Sequence, residues 1–273
     1  MAVRCPNGTI WKGDLRMGIF AKGPLRKIPL VRGMFILLET LILGVRALNR
    51  SAEISMVPPE ETVELQHKPT ISERLLLGVS MGIALVVGIG FFFLVPLFGA
   101  RSMDGFIGSS LASNAIEGVI RLMLLVGYMW AIGHMEGIQR VFAYHGAEHM
   151  TIHAYEHGES LDPETVSRFP KAHPRCGTAF LLTVVVVSIL IFALLGRPSM
   201  EIAILSRLVL VPVIASVSYE FLRLGATHES NPLARLMILP GIALQRLTTR
   251  IPDTPQIEVA ITAMESALEA DRV

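Results

Sequence analysis

The chain has 273 residues, of which 52% are hydrophobic and only 17% are charged, and its mean hydropathy is +0.55. These values exclude an ordinary soluble domain, in which about 25% of the residues are charged. A formal net charge of +1 also lacks the basic surplus that is typical of nucleic-acid binding, so we expect no nucleic-acid partner. The composition predicts a membrane protein.

The part of the chain that precedes the long apolar segments divides into three. Residues 1–28 predict a cytoplasmic segment with a small β-hairpin, because Pro6-Asn7-Gly8 is a turn sequence and no apolar core of a cleavable signal peptide is present. Residues 29–48 predict an interfacial or re-entrant helix, since the apolar run 34–45 is too short to cross a bilayer and contains Glu39. Residues 49–73, with Pro58-Pro59, predict a polar linker.

Residues 74–224 predict a four-helix membrane domain. The runs 75–100 and 177–196 contain no charged residue, and about 20 apolar residues are enough to cross a bilayer. Two further predicted spans, 116–135 and 202–222, contain charges. Because a charge in lipid is costly, we expect Glu117 and Arg121, spaced i,i+4, to pair, and we expect Glu220 to face protein. The predicted fold class is mainly α and polytopic, with about four transmembrane helices, interfacial helices and the N-terminal hairpin.

The C-terminal residues 225–273 predict an interfacial helix followed by a cytoplasmic amphipathic helix. The segment 232–250 carries arginines among leucines and isoleucines, which is typical of an interfacial helix. An apolar stripe at helical spacing then marks the amphipathic helix. The stripe consists of Ile257, Ile261, Met264 and Leu268.

Basic residues predict the orientation in the membrane. Lysine and arginine are concentrated in the first 74 residues, in the loop 136–177 and in the tail. The positive-inside rule therefore predicts that both termini and that loop are cytoplasmic. Anionic headgroups of membrane lipids are the expected ligands of Arg32, Arg46 and Arg246. The two cysteines do not form a disulfide framework and are expected to be reduced thiols.

Histidine is strongly clustered in the predicted cytoplasmic loop. Six of the eight histidines lie between His134 and His173. In a helix, positions i, i+4, i+8 and i+11 share one face, so three of these histidines and one glutamate would project together, with Glu148 beside them. The shared face consists of His145, His149, His153 and Glu156.

The string His145-Gly-Ala-Glu148-His149 matches the H-x-x-E-H signature of inverted zinc hydrolases. Two histidines four residues apart can reach one ion, and the carboxylate beside them can take a proton from water. Further ligands are available in His173-Pro-Arg-Cys176, just before the third span. These candidates outnumber the three or four ligands that one zinc ion requires, so the spacing leaves the ligand set open. The alternatives to metal binding are a structural packing role for the histidines and a small buried thiol for Cys176.

The chain resembles the YqhQ family of bacterial membrane proteins, a domain of unknown function described in general terms as candidate metal-dependent enzymes. The strings Y-H-G-A-E-H at 144–149 and H-P-R-C-G-T at 173–178 carry the resemblance, together with segments 29–51, 114–128, 218–220 and 245–260. Family members usually have a glycine-rich segment before the part that corresponds to residues 2–8, where this sequence begins. The resemblance implies a multi-pass protein of the bacterial cytoplasmic membrane. It also implies metal chemistry at His145, Glu148, His149, His173 and Cys176, with Tyr144 and Glu156 supporting the ligands.

Two functions compete at this stage. The first is a membrane-embedded, metal-dependent hydrolase with zinc as the expected metal and iron or manganese as alternatives, in which Glu148 is the general base. The second is a membrane scaffold or assembly factor with a closed structural metal site. His153 and Glu220 are additional candidates for the site. Transport is weaker, because the spans contain few ionisable residues. The substrate and protein partners stay open.

Overall fold

The computed structural model describes residues 1–15, 28–55, 70–227 and 231–271. It is mainly helical with one two-stranded antiparallel sheet, which confirms the predicted fold class. The predicted linker falls largely on residues 56–69, outside the described part. The elements are β1 (Ala2–Arg4), β2 (Ile10–Lys12), α1 (Val31–Ser55), α2 (Ile71–Ile89), a π-helical turn (Gly90–Leu94), α3 (Val95–Ser102), α4 (Ser110–Ile132), α5 (Glu136–Glu156), α6 (Pro163–Val166), α7 (Gly177–Leu195), α8 (Met200–Thr227), α9 (Pro232–Thr248) and α10 (Thr254–Asp271).

The N-terminal hairpin forms across the turn that the sequence predicts. Val3 pairs with Trp11, and Gly8 has a φ of 85°, which a glycine adopts without strain. The Asn7 side chain accepts hydrogen bonds from the backbone N–H and the hydroxyl of Thr9, and this fixes the turn. The hairpin lies against the C-terminal end of α1 and against α10.

Helix α1 is longer than the range 29–48 expected from the sequence and continues to Ser55. The extra turns are stabilised by the buried Ile54, which packs against Val3 and Cys5 of the hairpin. At the other end of α1, Arg32 forms a two-pronged ion pair with Glu220 of α8. This pairing gives Glu220 the protein partner that was expected, and it places a carboxylate beside Arg32, which was expected to bind lipid headgroups.

In the described part of the chain, four helical segments are long and apolar enough to cross a membrane, namely Gly78–Ser102, Ser110–Ile132, Gly177–Leu195 and Met200–Gly225. They agree with the four predicted spans and fit a membrane protein. The second span ends at Ile132, and a turn at Gly133 separates it from α5. The histidine-rich segment is therefore a separate helix, α5, and not a continuation of the second span.

A buried ionic cluster joins the spans near their middle. Arg121 donates a hydrogen bond of 2.7 Å to Glu117, which confirms the predicted pair, and Arg207 of α8 donates a second at 2.6 Å. Arg121 also donates to the hydroxyl of Ser188 on α7 and to the carbonyl of Phe92 in the π-helical turn, at 2.8 and 2.9 Å. All four polar side chains are nearly inaccessible to solvent, so the cluster holds the four spans in one arrangement.

Helices α5, α9 and α10 form the frame of the site. Helix α10 packs on α5 through Ile257 and Ile261, which contact Ala147 and Met150. Helix α9 lies against α7 rather than apart from the spans. At Gly241 the two helices approach so closely that a Cβ would lie 2.5 Å from the Cβ of Ala179. This contact brings the end of α9 to the beginning of α7.

Candidate metal centre

Three potential metal ligands meet where α5 passes the beginning of α7. His145 and His149 are one turn apart on α5, and their ring centroids are 4.3 Å apart. Cys176 is the N-cap of α7, and its Sγ lies 3.1 Å from Nε2 of His145. One donor atom from each of these three residues lies within 4.8 Å of the others. Donors of one tetrahedral zinc ion are about 3.3–3.7 Å apart, so the donor set fits with small adjustments.

Both histidine rings of this group are oriented by backbone carbonyls. Nδ1 of His145 contacts the carbonyl of Thr248 at 2.8 Å, and Nδ1 of His149 contacts the carbonyl of Lys171 at 2.8 Å. A carbonyl oxygen only accepts, so Nδ1 carries the proton in each ring and the neutral ring has its lone pair on Nε2. Metal-binding histidines in proteins are held in the same way.

Cys176 has the character of a thiolate. Burial alone would raise the pKa of this thiol, but hydrogen bonds from His145, His149 and Thr178 lower it to about 5. Burial likewise acts to lower the pKa of His145, but the contact with Cys176 outweighs it, and the pKa of His145 is raised. The two groups stabilise each other through the contact of 3.1 Å between Nε2 of His145 and Sγ of Cys176. A zinc ion favours this thiolate form of the ligand.

A second group of ionisable side chains lies one to two turns further along α5. His153, Glu156 and His173 offer donor atoms within 4.8 Å of one another. Nδ1 of His173 accepts the backbone N–H of Arg175 at 3.2 Å, so its proton is on Nε2, which contacts Glu156 at 3.2 Å. Burial lowers the pKa of His173 despite the neighbouring carboxylate. His173 is therefore a neutral hydrogen-bond donor to Glu156, and its geometry favours this role over metal binding.

A cavity of about 220 Å³ opens onto both groups. Glu148 lines the cavity, is exposed to solvent, and acts electrostatically on His145. Arg175 also lines it and donates a hydrogen bond of 3.1 Å to Glu156. The cavity therefore joins three metal-binding donors, a carboxylate and a cation.

Two residues expected near the site lie elsewhere. Tyr144 precedes His145 in the chain but lines a different cavity, where Arg140 lies 6.0 Å from the centroid of its ring. Glu220 pairs with Arg32 and belongs to neither ligand group. His153 lies in the second group, and its Nε2 is 2.9 Å from the carbonyl of Ala172.

Two residues that support the site, Gly146 and Gln245, could not be identified from the ligand motifs of the sequence. Gln245 is completely buried and bonds both the N–H and the carbonyl of His173, at 2.8 and 2.9 Å. Gly146 lies against the carbonyl of Arg250, where a Cβ would be only 2.2 Å from the oxygen. Gln245 and Arg250 belong to the segment 245–260, which carries part of the family resemblance. That resemblance was the signal in the sequence that could have pointed to them.

Comparison with known proteins agrees with the resemblance. A family model described as a protein of unknown function, DUF1385, matches residues 28–270. The uncharacterized protein YqhQ of Bacillus subtilis (strain 168) is 32% identical over 251 residues, which cover 90% of this chain and 79% of that protein. No solved structure matches the chain. The chain therefore belongs to the DUF1385 family of proteins of unknown function.

Proposed function

We propose that the protein is a metal-dependent hydrolase of the bacterial cytoplasmic membrane, with zinc held by His145, His149 and Cys176. The observation that carries the proposal is the orientation of the two imidazoles, whose Nδ1 atoms are bonded to the carbonyls of Thr248 and Lys171. This leaves both Nε2 atoms as donors beside the Cys176 thiolate. A mixed imidazole and thiolate set favours zinc over manganese, which prefers oxygen ligands.

Three protein ligands and an adjoining cavity are typical of a catalytic zinc site, whereas a structural site has four protein ligands. His173 is the nearest candidate for a fourth ligand. Its Nδ1 accepts the N–H of Arg175, and its Nε2 faces Glu156, so neither nitrogen offers a free lone pair toward the group. This supports the hydrolase over the closed structural clamp.

Each side chain of the cavity has a separate role in the proposed reaction. His145, His149 and Cys176 would hold the zinc ion, which would make water more acidic and polarise the bond that is cleaved. Glu148 takes the proton from the attacking water and returns it to the leaving group. His173 donates a hydrogen bond to Glu156, which in turn holds Arg175 at the cavity. Arg175 then attracts an anionic part of the substrate.

The site lies at the N-terminal end of the third span, where it can reach a substrate at the membrane surface. The distribution of lysine and arginine assigns this surface to the cytoplasm. Both termini are then cytoplasmic as well, since four spans separate them.

The first test is the metal content of the detergent-purified protein. We expect about one equivalent of zinc in the wild type and a loss of it in His149→Ala and in Cys176→Ala. His134→Ala is the matched control, since His134 is exposed and bonds the carbonyl of Trp130, away from the site. Retention of zinc in both ligand variants would contradict the assignment.

The second test distinguishes an open site from a closed one. In the cobalt-substituted protein, a thiolate-to-cobalt absorption band reports Cys176 as a ligand, and a hydroxamate probe should change the spectrum only if a coordination position is open. Glu148→Gln should keep both the metal and the response to hydroxamate while it abolishes hydrolysis in a screen of peptide and lipid substrates. An unchanged cobalt spectrum would favour the structural clamp.

A further inference from the structure

A second cavity, of about 350 Å³, lies between the N-terminal hairpin, α1, α5 and α10. Its size is in the range of cavities that bind small ligands. It shares no lining residue with the cavity beside the candidate metal centre, so it is a separate site. The lining residues that matter here are Arg4, Leu48, Ser51, Arg140, Val141 and Tyr144.

The polar side of this cavity suits an oxyanion. Arg4 is held in place by hydrogen bonds to the carbonyls of Gly8 and Pro255, both at 2.9 Å, and by an ion pair of 2.5 Å with Glu258. Its Nε is a buried nitrogen without a hydrogen-bond partner among the described residues. Arg140 is exposed at the opposite wall, beside the ring of Tyr144. Guanidinium groups with neighbouring hydroxyls, here Ser51 and Tyr144, are the donors that bind phosphate in proteins.

The rim of the cavity is apolar and open to the surroundings. The side chains of Leu48 and Val141 are 66% and 51% exposed. Leu48 continues an exposed apolar stripe along α1 that also includes Met34, Leu38 and Leu41. A helix with such a stripe lies at the surface of a membrane with its apolar face among acyl chains. A soluble phosphate compound would gain nothing from this rim, whereas a lipid would gain the burial of its chains.

We propose that this cavity binds the headgroup phosphate of an anionic phospholipid, with Arg4 and Arg140 on the phosphate and the acyl chains along the apolar stripe of α1. The site positions α1 and the hairpin at the membrane surface. It does not depend on the proposed hydrolase activity. It also differs from the expectation that Arg32, Arg46 and Arg246 bind the lipid headgroups, because the arginines that line this cavity are Arg4 and Arg140.

The experiment measures binding of three probes to the full-length protein in a neutral detergent. The probes are dioctanoyl phosphatidylglycerol, dioctanoyl phosphatidylcholine and glycerol 1-phosphate, and native mass spectrometry gives the bound fraction. We expect phosphatidylglycerol to bind at least about tenfold more tightly than the other two, because only it combines net negative charge with acyl chains. Equal binding of phosphatidylcholine would overturn the role of charge, and equal binding of glycerol 1-phosphate would overturn the lipid.

Two variants test the residues. Arg140→Gln should weaken phosphatidylglycerol binding by at least about tenfold, since it removes a charge-assisted hydrogen bond to the phosphate. Tyr144→Phe, which removes one hydroxyl and no packing, should weaken it roughly threefold. The matched control is Arg168→Gln, whose side chain is 68% exposed and pairs with Glu164 on the surface. Wild-type affinity in both Arg140→Gln and Tyr144→Phe would overturn the proposal, and an unchanged size-exclusion elution of these variants would show that they fold normally.

Discussion

The close approach of residue 146 to the segment after α9 predicts a large effect of Gly146→Ala. The new Cβ would lie 2.2 Å from the carbonyl oxygen of Arg250, and an ordinary contact of this kind begins at 3.4 Å. The backbone of α5, which carries residue 146, does not yield easily. The backbone around Arg250 would therefore have to move by about 1.2 Å.

This displacement would break a bond that orients a proposed zinc ligand. The carbonyl of Thr248, two residues before Arg250, holds Nδ1 of His145 at 2.8 Å. If the segment moves as a unit by the required amount, the distance rises to about 4 Å, beyond the range of a hydrogen bond. Loss of such a supporting bond lowers metal affinity by about 10- to 100-fold, or about 1.4–2.8 kcal/mol.

The assay is a zinc competition titration of Gly146→Ala against a chromophoric chelator, with size-exclusion elution and thermal unfolding measured in parallel. Gly127→Ala in α4 is the control, because no atom lies within 4 Å of the added Cβ there. An affinity of Gly146→Ala within about twofold of the wild type would refute the argument that the 248–250 segment orients His145.

Three further predictions follow from the buried groups. In metal-free Cys5→Ser protein, alkylation of Cys176 by iodoacetamide should level off by about pH 7, because a thiol with a pKa of about 5 is then already a thiolate. A rate that still rises between pH 7 and 9 would indicate an ordinary thiol. Gln245→Ala should lower the free energy of unfolding by roughly 2–4 kcal/mol in denaturant titrations, since it leaves the N–H and carbonyl of His173 unpaired, and a loss below about 1 kcal/mol would contradict this. Glu117→Gln should lower the free energy of unfolding by about 3–5 kcal/mol in the same titrations, because it leaves two buried guanidinium groups without a carboxylate. The exposed Glu164→Gln should lower it by under about 1 kcal/mol.

The spans could be predicted because hydropathy and length are local properties. The run 75–100 needs no knowledge of its neighbours to be recognised as a span. The pairing of Glu117 with Arg121 was predictable for the same reason, since both lie on one helix at i,i+4. The third member, Arg207, was not predictable because it comes from another helix, 90 positions from Glu117 in the sequence.

The candidate site was predictable along α5 and much less so across elements. Helical spacing placed His145 and His149 together, but it could not choose between His173 and Cys176. That choice depends on the backbone N–H of Arg175, which donates a hydrogen bond to Nδ1 of His173. Tyr144 was expected to support the site because the family resemblance implies that role. A helix turns about 100° per residue, so neighbours in the chain face different directions, and Tyr144 lines the other cavity.

The π-helical turn in the first span shows a limit of hydropathy as a guide to polar contacts. In an α-helix the carbonyl of Phe92 would be bonded by the N–H of residue 96, but that residue is Pro96, which has none. Arg121 supplies the missing donor at 2.9 Å. A span whose side chains from residue 75 to residue 100 carry no charge thus solvates a buried cation with its own main chain. The carbonyl four residues before a proline is therefore an acceptor without its helical donor, and an apolar helix that contains such a carbonyl is a partner to consider for any arginine that lies within a membrane.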